Sequence, residues 1–215
     1  MRHKGMWYSE KVAYPLCSYE HPQSMNAEQH PLKPFLPHNA RILMLGSFPP
    51  PRKRWSMDFF YPNMQNDMWR IFGWLFFADR EYFIDSVHRR FDQTRLEGFL
   101  KDKGVALYDT ARSVVRLQDN ASDKFLEVVE KTDVAELLRH LPRCVAVVTT
   151  GQKATDTLRA TFHTAEPSVG SYSTFQFEGR SLRLYRMPSS SRAYPLKLEK
   201  KAEAYGRMMR EVGLL

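Results

Sequence analysis

Runs of consecutive apolar residues alternate along this chain with segments in which apolar residues recur every three or four positions. A continuous run is typical of a strand buried on both faces, and the three-to-four spacing is typical of an amphipathic helix. The runs predict strands over residues 41–46, 105–109, 144–150 and 181–186. A further extended segment, 173–178, is predicted to form a hairpin with the last strand about Gly179.

Helical periodicity occupies most of the segments between these strands. It predicts helices over residues 66–77, 79–90, 93–103, 133–141, 152–162 and 195–212. Strands separated by helices indicate a mainly parallel sheet with right-handed crossovers and helices on both faces. The expected fold is therefore α/β, a three-layer α/β/α sandwich around a central four-stranded, mainly parallel sheet. The polar stretch 110–123 is expected to be a long loop, and such loops in compact domains are often functional.

The chain of 215 residues is long enough for one domain with a substantial core, and a second full domain is not expected. Residues 1–38 are rich in Pro and His and show no period, so we interpret them as an irregular N-terminal extension that packs partly on the domain. The prolines of 30–37 exclude a helix there, because each removes a backbone donor. The domain itself is expected to span 39–215 and to be a monomer.

The composition, 43% apolar and 26% charged, is ordinary for a globular domain. No apolar run is long enough for a transmembrane helix, and no apolar stretch follows the basic N-terminus, so neither a membrane span nor a secretory signal is expected. Cys17 and Cys144 are expected to be free thiols in a reducing cytoplasm. The net charge of +8 indicates either a polyanionic partner or merely a solvated basic surface.

Three of the predicted strands end in loops that carry chemically informative residues. These loops are Gly46-Ser47-Phe48-Pro49, Asp109-Thr110-Ala111-Arg112 and Met187-Pro188-Ser189-Ser190-Ser191-Arg192. In a parallel sheet the carboxyl ends of the strands share one edge, and ligands bind beyond that edge. Arg52, Lys53 and Tyr61 follow the first loop, and a cation can hold a phosphate while an aromatic ring stacks on a base. This common edge is the predicted site.

Two of the polar groups there have a structural and a functional interpretation. Asn66 is either the N-cap of its helix or half of an amide pair with Asn63 that orients a water molecule or binds a base. The three serines 189–191 form either a flexible turn or, beside Arg192 and ahead of a helix, a group of hydroxyls and N–H groups that holds a phosphate. The residues alone leave both alternatives open.

Tyr61 and Asp109 are equally open. Tyr61 is either a core aromatic or a stacking surface in the loop before Pro62, and Asp109 either caps a turn or acts as a base. The sequence carries no metal-binding signature, P-loop, dinucleotide fingerprint or nucleophile elbow, so no metal or cofactor is expected.

Three motifs together resemble the uracil-DNA glycosylase superfamily, and they are most similar to the branch of the mismatch-specific thymine/uracil and the deoxyinosine (hypoxanthine) DNA glycosylases. Gly46-Ser47-Phe48-Pro49 matches the family's Gly-x-x-Pro loop after the first strand. Tyr61-Pro62-Asn63-Met64-Gln65-Asn66-Asp67-Met68-Trp69 aligns with an aromatic–x–His-Pro-x-Asn-x-Phe-Trp segment. Met187-Pro188-Ser189-Ser190-Ser191 resembles the Pro-Ser-rich loop after the last strand. The resemblance covers about residues 41–210.

The resemblance implies a DNA repair enzyme that hydrolyses the N-glycosidic bond of a deaminated base, uracil or hypoxanthine, after flipping it out of the duplex and without a metal. Water attacks C1′ of an oxocarbenium-like sugar, and hydrogen bonds stabilise the departing base as an anion. The implied roles are base stacking for Tyr61, pocket lining for Gly46 and Ser47, phosphate contacts for Ser189, Ser190 and Ser191, insertion into the duplex for Arg192 or a neighbour, and catalysis for Asn66. Arg52 and Lys53 are further predicted DNA contacts, and Phe48 is predicted to lie with the base-binding residues.

The chain departs from the family pattern at two positions. Phe48 occupies the place of the family's catalytic Asp or Asn, and Asn63 replaces a His beside the pocket. Asn66, with Asn63 or Asp109, must then take over the catalytic work. The alternatives are a non-catalytic DNA-binding member of the same fold and a hydrolase of free nucleosides or another small molecule.

Overall fold

The computed structural model describes residues 27–117 and 125–215. Its strands are β1 (Ala27–Gln29), β2 (Ile42–Gly46), β3 (Ile84–Asp85), β4 (Arg90–Phe91), β5 (Val105–Asp109), β6 (Ala111–Arg116), β7 (Leu126–Lys131), β8 (Ala146–Thr149), β9 (Ser171–Phe177) and β10 (Arg180–Arg186). Its α-helices are α1 (Met68–Phe77), α2 (Gln93–Lys103), α3 (Val134–Arg139), α4 (Gln152–Phe162) and α5 (Leu198–Glu211).

The central sheet has the strand order β5-β2-β8-β10-β9. The first four strands run parallel, and β9 pairs antiparallel with β10 through a turn at Gly179, whose φ is +78°. Every residue of β2, β5 and β8 is buried, as their continuous apolar runs predict. The α/β fold is confirmed, but the sheet has five mixed strands instead of the expected four, because the hairpin partner β9 extends its edge.

A second sheet has the order β1-β6-β7, and all of its pairs are antiparallel. The prediction of a loop over 110–123 is therefore wrong for Ala111–Arg116, and residues 118–123 lie outside the described part of the chain. The register of β6 shifts twice around Ser113, and such bulges break the alternation that would reveal a strand.

Part of the predicted N-terminal extension contacts the domain. β1 pairs with β6, and Phe35 exchanges two backbone hydrogen bonds with Leu107 of β5, at 3.0 and 2.9 Å. Residues 1–26, which include Cys17, lie outside the described residues, and Cys144 is a buried free thiol.

The predicted helix over 79–90 is wrong. α1 ends at Phe77, and its C-cap Ala78 has a left-handed φ of +55°; the chain then makes turns and the short β3–β4 hairpin. Asp85 accepts hydrogen bonds from the backbone N–H of His88 (3.2 Å) and from its Nδ1 (2.7 Å), and such local side-chain bonds compete with a helix. The bounds of α2 and α4 agree with the predictions, whereas α5 begins three residues later than expected.

The helices hold the site loops in place. α1 packs against α5, α2 against β5, and α4 against β8. The fully buried Trp69 of α1 donates its indole N–H to the carbonyl of Phe60 at 3.0 Å, which anchors the loop before Tyr61 to the core. Over residues 27–117 and 125–215, no helix combines the length and the apolar character that a membrane crossing requires.

Candidate active site

A cavity of about 610 Å³ opens at the carboxyl edge of the central sheet. The loops after β2, β5, β8 and β10 line it, together with the segment that precedes α1. The predicted site residues in its wall are Gly46, Ser47, Phe48, Tyr61, Asn63, Asn66, Asp109, Ser189, Ser190, Ser191 and Arg192. The parallel strands thus bring together residues that are up to about 150 positions apart, as the shared strand edge predicts.

Arg52 and Lys53 are not in this wall. They lie in a 3-10 turn, Arg52–Arg54, where Arg52 forms an ion pair with Asp58 at 2.8 Å and covers the Trp55 ring at 4.2 Å. The cation that this turn gives to the cavity is Arg54. The site therefore does contain a basic residue from the predicted stretch, but at a different position.

Gly46 and Asp109 are directly paired across β2 and β5. A Cβ at Gly46 would lie only 2.4 Å from Asp109 Oδ1, so residue 46 can only be glycine while this carboxylate keeps its place. The other oxygen, Oδ2, lies 2.9 Å from Nε2 of His30, a residue of the N-terminal extension that the motifs do not include. Asp109 therefore has one oxygen held by a histidine and one over Gly46.

Tyr61 lies in the cavity wall with a left-handed φ of +48°, which is unfavourable for a residue with a side chain. Its hydroxyl lies 3.1 Å from Oγ1 of Thr150, which follows β8, and its ring contacts Trp69 edge to face with centroids 5.7 Å apart. The ring is thus fixed at both ends while it remains half-buried. Strained backbone of this kind is often found at functional sites.

The two asparagines before α1 are both in the cavity wall, and both make turn contacts. Oδ1 of Asn63 accepts the backbone N–H of Gln65 at 2.9 Å, and Oδ1 of Asn66 accepts that of Met68 at 2.9 Å. The N-cap of α1 is Asp67, so Asn66 is not the N-cap that its structural interpretation predicts, although its Oδ1 accepts the N–H of the first residue of the helix. These bonds use only Oδ1, so the Nδ2 group of Asn66 is not engaged by them.

The serine loop is held against α1 and is not the start of a helix, since α5 begins only at Leu198. Asn66 and Ser191 form an isolated β-bridge, and the buried Ser190 accepts the N–H of Asp67 at 2.8 Å. The hydroxyls of Ser189 and Ser191 accept backbone N–H groups two residues ahead, both at 3.2 Å. The expectation that a helix N-terminus helps these serines hold a phosphate is therefore wrong.

A buried ionic network supports this loop from below. Nζ of Lys201, a fully buried residue of α5, donates to Asp67 Oδ2 at 3.0 Å and to the carbonyl of Ser191 at 2.8 Å. Arg192 donates through Nε to the other oxygen of Asp67 at 2.9 Å. The Tyr205 hydroxyl donates to the carbonyl of Pro188 at 3.0 Å, and burial raises the pKa of Tyr205 well above its usual range, so it remains a donor.

Phe48 belongs to a small apolar cluster with Ala111, Val114 and Leu126. Its ring meets the edge of the His30 imidazole in a T-shaped contact, with centroids 5.4 Å apart. The position that carries a polar catalytic group in the resembling family is thus used here for packing.

The sequence interpretation missed three residues that shape the site: His30, Thr150 and Lys201. Each reaches the site from outside the three motifs, and no local pattern marks any of them. Lys201 has the appearance of an ordinary surface lysine in a polar helix, although its side chain is only 1% exposed. In the described ranges 27–117 and 125–215, no three side chains of His, Cys, Asp or Glu are grouped so that they could hold a metal ion.

Comparison with known proteins gives a result only at the level of structure. No family model and no curated protein sequence matches the chain. The fold is similar to the solution NMR structure of a "putative Uracil DNA glycosylase" from Methanosarcina acetivorans, with a TM-score of 0.54 and 22% identity over 83% of this chain and 96% of that one. The two proteins therefore share a uracil-DNA-glycosylase-like α/β fold.

Proposed function

We propose that this protein is a monofunctional, metal-independent DNA N-glycosylase that removes a deaminated base, uracil or hypoxanthine, from DNA. The observation that carries the proposal is the cavity at the sheet edge, where an aromatic ring, an amide, a carboxylate and a serine loop meet on a chain of net charge +8. The shared fold of a protein named for uracil-DNA glycosylase activity supports it. The expected partner is DNA with a damaged base.

In this proposal the target nucleotide leaves the duplex and enters the cavity, where Tyr61 stacks on the base. Gly46 and Ser47 line the base pocket, with Phe48 beside them. Backbone and hydroxyl groups of 189–191 contact the flanking phosphates, and Arg54 adds positive charge at the rim. The loop needs no flexibility for this role, since α1 and α5 already hold its backbone.

Asn66 is proposed to carry catalysis. Its Oδ1 is fixed by the first turn of α1, so the direction of its Nδ2 is fixed as well. A positioned amide of this kind orients a water molecule toward C1′ when the bond between C1′ and the base breaks and the sugar becomes oxocarbenium-like. Asn63, three residues earlier in the same wall, is the proposed assistant.

Arg192 is a less suitable candidate for insertion into the duplex than the sequence motifs imply. Its guanidinium is paired with Asp67, which is itself bound by Lys201. Insertion would break that pair. We therefore propose that Arg192 holds the serine loop and that its exposed neighbour Ala193 is closer to the gap in the duplex.

A cleavage panel tests the proposal. The purified protein is incubated with single- and double-stranded oligonucleotides that contain one uracil, hypoxanthine, xanthine or mismatched thymine, and alkali then converts each abasic site into a strand break. Asn66→Ala is expected to lower base release by about 100-fold or more while DNA affinity is kept. Asn66→Ser retains a capping oxygen and is expected to show the same loss, which separates catalysis from helix capping.

Asn39→Ala is the matched control, because Asn39 donates to the carbonyl of Lys101 and is not in the cavity wall. Full base release by Asn66→Ala would contradict the catalytic assignment. The second candidate function, a DNA-binding protein without catalysis, is favoured by the apolar packing of Phe48. It predicts salt-dependent DNA binding with no base released from any of these substrates.

A further inference from the structure

His30 is a buried histidine that no recognised motif contains, and it reaches the candidate site through Asp109. Its side chain is 1% exposed, and that of Asp109 is 11% exposed. An ionised carboxylate only accepts hydrogen bonds, so Nε2 of His30 carries the proton in their 2.9 Å contact. Nδ1 lies 2.9 Å from the carbonyl oxygen of Leu32 and 3.2 Å from its backbone N–H, so the backbone of Leu32 holds this second nitrogen in place.

The imidazole ring cannot turn easily. It is packed against the rings of Tyr108, Phe48 and Phe60, with centroid distances of 4.6, 5.4 and 6.3 Å. The donor direction is thus set by packing on three sides. Because His30 occupies Oδ2 of Asp109, Oδ1 is the oxygen that remains above Gly46, in the wall of the cavity.

The order of the sheet places this carboxylate far from the serine loop. Asp109 ends β5, the serines follow β10, and β2 and β8 lie between these strands. Three strand spacings amount to roughly 14 Å. Asn66 is bridged to Ser191 and therefore lies at the serine side. A nucleotide whose phosphate contacts the serines would bring its sugar near Asn66 and extend its base toward Asp109.

We propose that the His30–Asp109 pair is the specificity element of this site, and that His30 is a positioning residue that keeps Oδ1 of Asp109 as a fixed acceptor for the ring N–H of a deaminated base. This inference rests on the proposed function. It moves Asp109 from the possible role of a catalytic base, which the sequence leaves open, to the recognition of the base.

The chemistry of deamination explains the choice of an acceptor. Uracil and hypoxanthine carry a hydrogen on the ring nitrogen of their pairing edge, N3 and N1 respectively. Their parent bases, cytosine and adenine, carry a lone pair there, which a carboxylate oxygen would repel. Enzymes that flip a base read this edge by hydrogen bonds, and a buried polar group left unpaired disfavours the wrong base strongly. Guanine with its N1–H and thymine with its N3–H carry the same hydrogen and are not separated by this contact.

The orientation of the side chain in Asp109→Asn can be predicted from its contact with His30. The Nε2–H of His30 would hold the amide oxygen of the new side chain, so the NH2 group would face the cavity and would present a donor. The affinity for the lactam bases should then fall by about 10- to 100-fold, as expected for a lost charge-assisted hydrogen bond. The preference for uracil over cytosine, and for hypoxanthine over adenine, should decrease by at least about 10-fold.

His30→Phe keeps an aromatic ring among Tyr108, Phe48 and Phe60 but removes the donor. This variant should weaken the preference for lactam bases. In the double variant with Asp109→Asn, no donor fixes the orientation of the new amide, so the effects of the two single substitutions on base preference should not add. His30→Gln, which can donate again, should recover part of the preference. His38→Phe replaces an exposed histidine of the same segment and should change nothing.

The assay is the affinity for duplexes that carry one 2′-fluoroarabino nucleotide with uracil, cytosine, hypoxanthine or adenine, because such sugars resist cleavage. Base release from the natural nucleotides is measured in parallel. A wild-type preference that shifts in Asp109→Asn and His30→Phe supports the inference, even where no base is released and the glycosylase proposal fails. The inference would be overturned if the wild type did not prefer uracil to cytosine and hypoxanthine to adenine, or if both variants kept that preference unchanged. The proposed function is tested separately, by the release of base from the natural nucleotides.

Discussion

Lys201→Met is the substitution whose effect can be worked out most directly from the structure. Lys201 and Lys200 are neighbours on α5, but their side chains are 1% and 62% exposed. Lys201 donates to Asp67 and to the carbonyl of Ser191, whereas Lys200 contacts only the exposed Glu203 among the described residues. The same change in two adjacent lysines therefore compares a buried ion pair with a surface pair.

Removing one member of a buried pair leaves the other charge without its partner and typically costs about 3–5 kcal/mol. The half-exposed Arg192 remains on the second oxygen of Asp67, so we expect the lower end, about 3 kcal/mol. For a chain of this length, each kcal/mol lowers Tm by about 2–4 °C, which gives a decrease of about 6–12 °C. Lys200→Met should change the free energy of unfolding by about 0.5 kcal/mol or less.

Urea denaturation followed by circular dichroism measures both variants against the wild type. The double variant Lys201→Met with Asp67→Leu replaces the pair by apolar groups and should recover at least half of the loss, because no buried charge is left unpaired. Equal urea midpoints for Lys201→Met and Lys200→Met would refute the reasoning. They would mean that Lys201 is solvated in solution and does not hold the serine loop.

Two further predictions concern the packing of the site and the response to pH. Gly46→Ala should reduce base release by about 100-fold with the fold retained, since its Cβ would displace Asp109, and the strand-break assay measures this loss. Gly98→Ala, on the open face of α2, should instead stabilise the protein by about 0.5–1 kcal/mol, which urea denaturation measures. The pKa of Tyr185 is raised from an ordinary 10.0 to about 12, mainly by burial and secondly by the hydrogen bond from its hydroxyl to Glu211. Its protonated form is therefore favoured in the folded state, so this contribution to stability is complete below pH 10 and is lost as the pH rises through about 12. Urea midpoints between pH 9 and 12 should fall less steeply for Tyr185→Phe.

The elements that were predicted from the sequence are those in which burial follows a simple period. β2, β5 and β8 are buried at every position, so their apolar runs identify them without ambiguity. The bounds of α2 are marked by local chemistry at both ends: Asp92 caps its first turn, and Gly104 ends it with a left-handed φ of +70°. Such signals need no tertiary information.

The elements that were missed lack a local signal. β1 consists of Ala27, Glu28 and Gln29, all exposed, and it is held by contacts to β6: backbone pairing, the ion pair of Glu28 with Arg116, and the hydrogen bond from Gln29 to Ser113. β6 itself contains bulges around Ser113, so its buried and exposed positions do not alternate regularly. The residues of the site differ in the same way. The loops after the strands could be located from the sequence, because they follow recognisable apolar runs. The contacts of His30 with Asp109 and of Lys201 with Asp67 arise only in the folded chain.

The pairing of His30 with Asp109 also bears on the meaning of Phe48. Taken alone, an apolar residue at the usual catalytic position suggests that the chemistry of the site has been lost. Yet burying a histidine and a carboxylate is costly unless the pair is well satisfied, and this pair lies in the wall of the cavity, where an apolar pair would have packed without that cost. Phe48 supplies one of the three rings that orient the His30 donor. The apolar residue therefore supports a polar group that comes from another part of the chain, and for this reason we propose a rearranged site and not a defunct one.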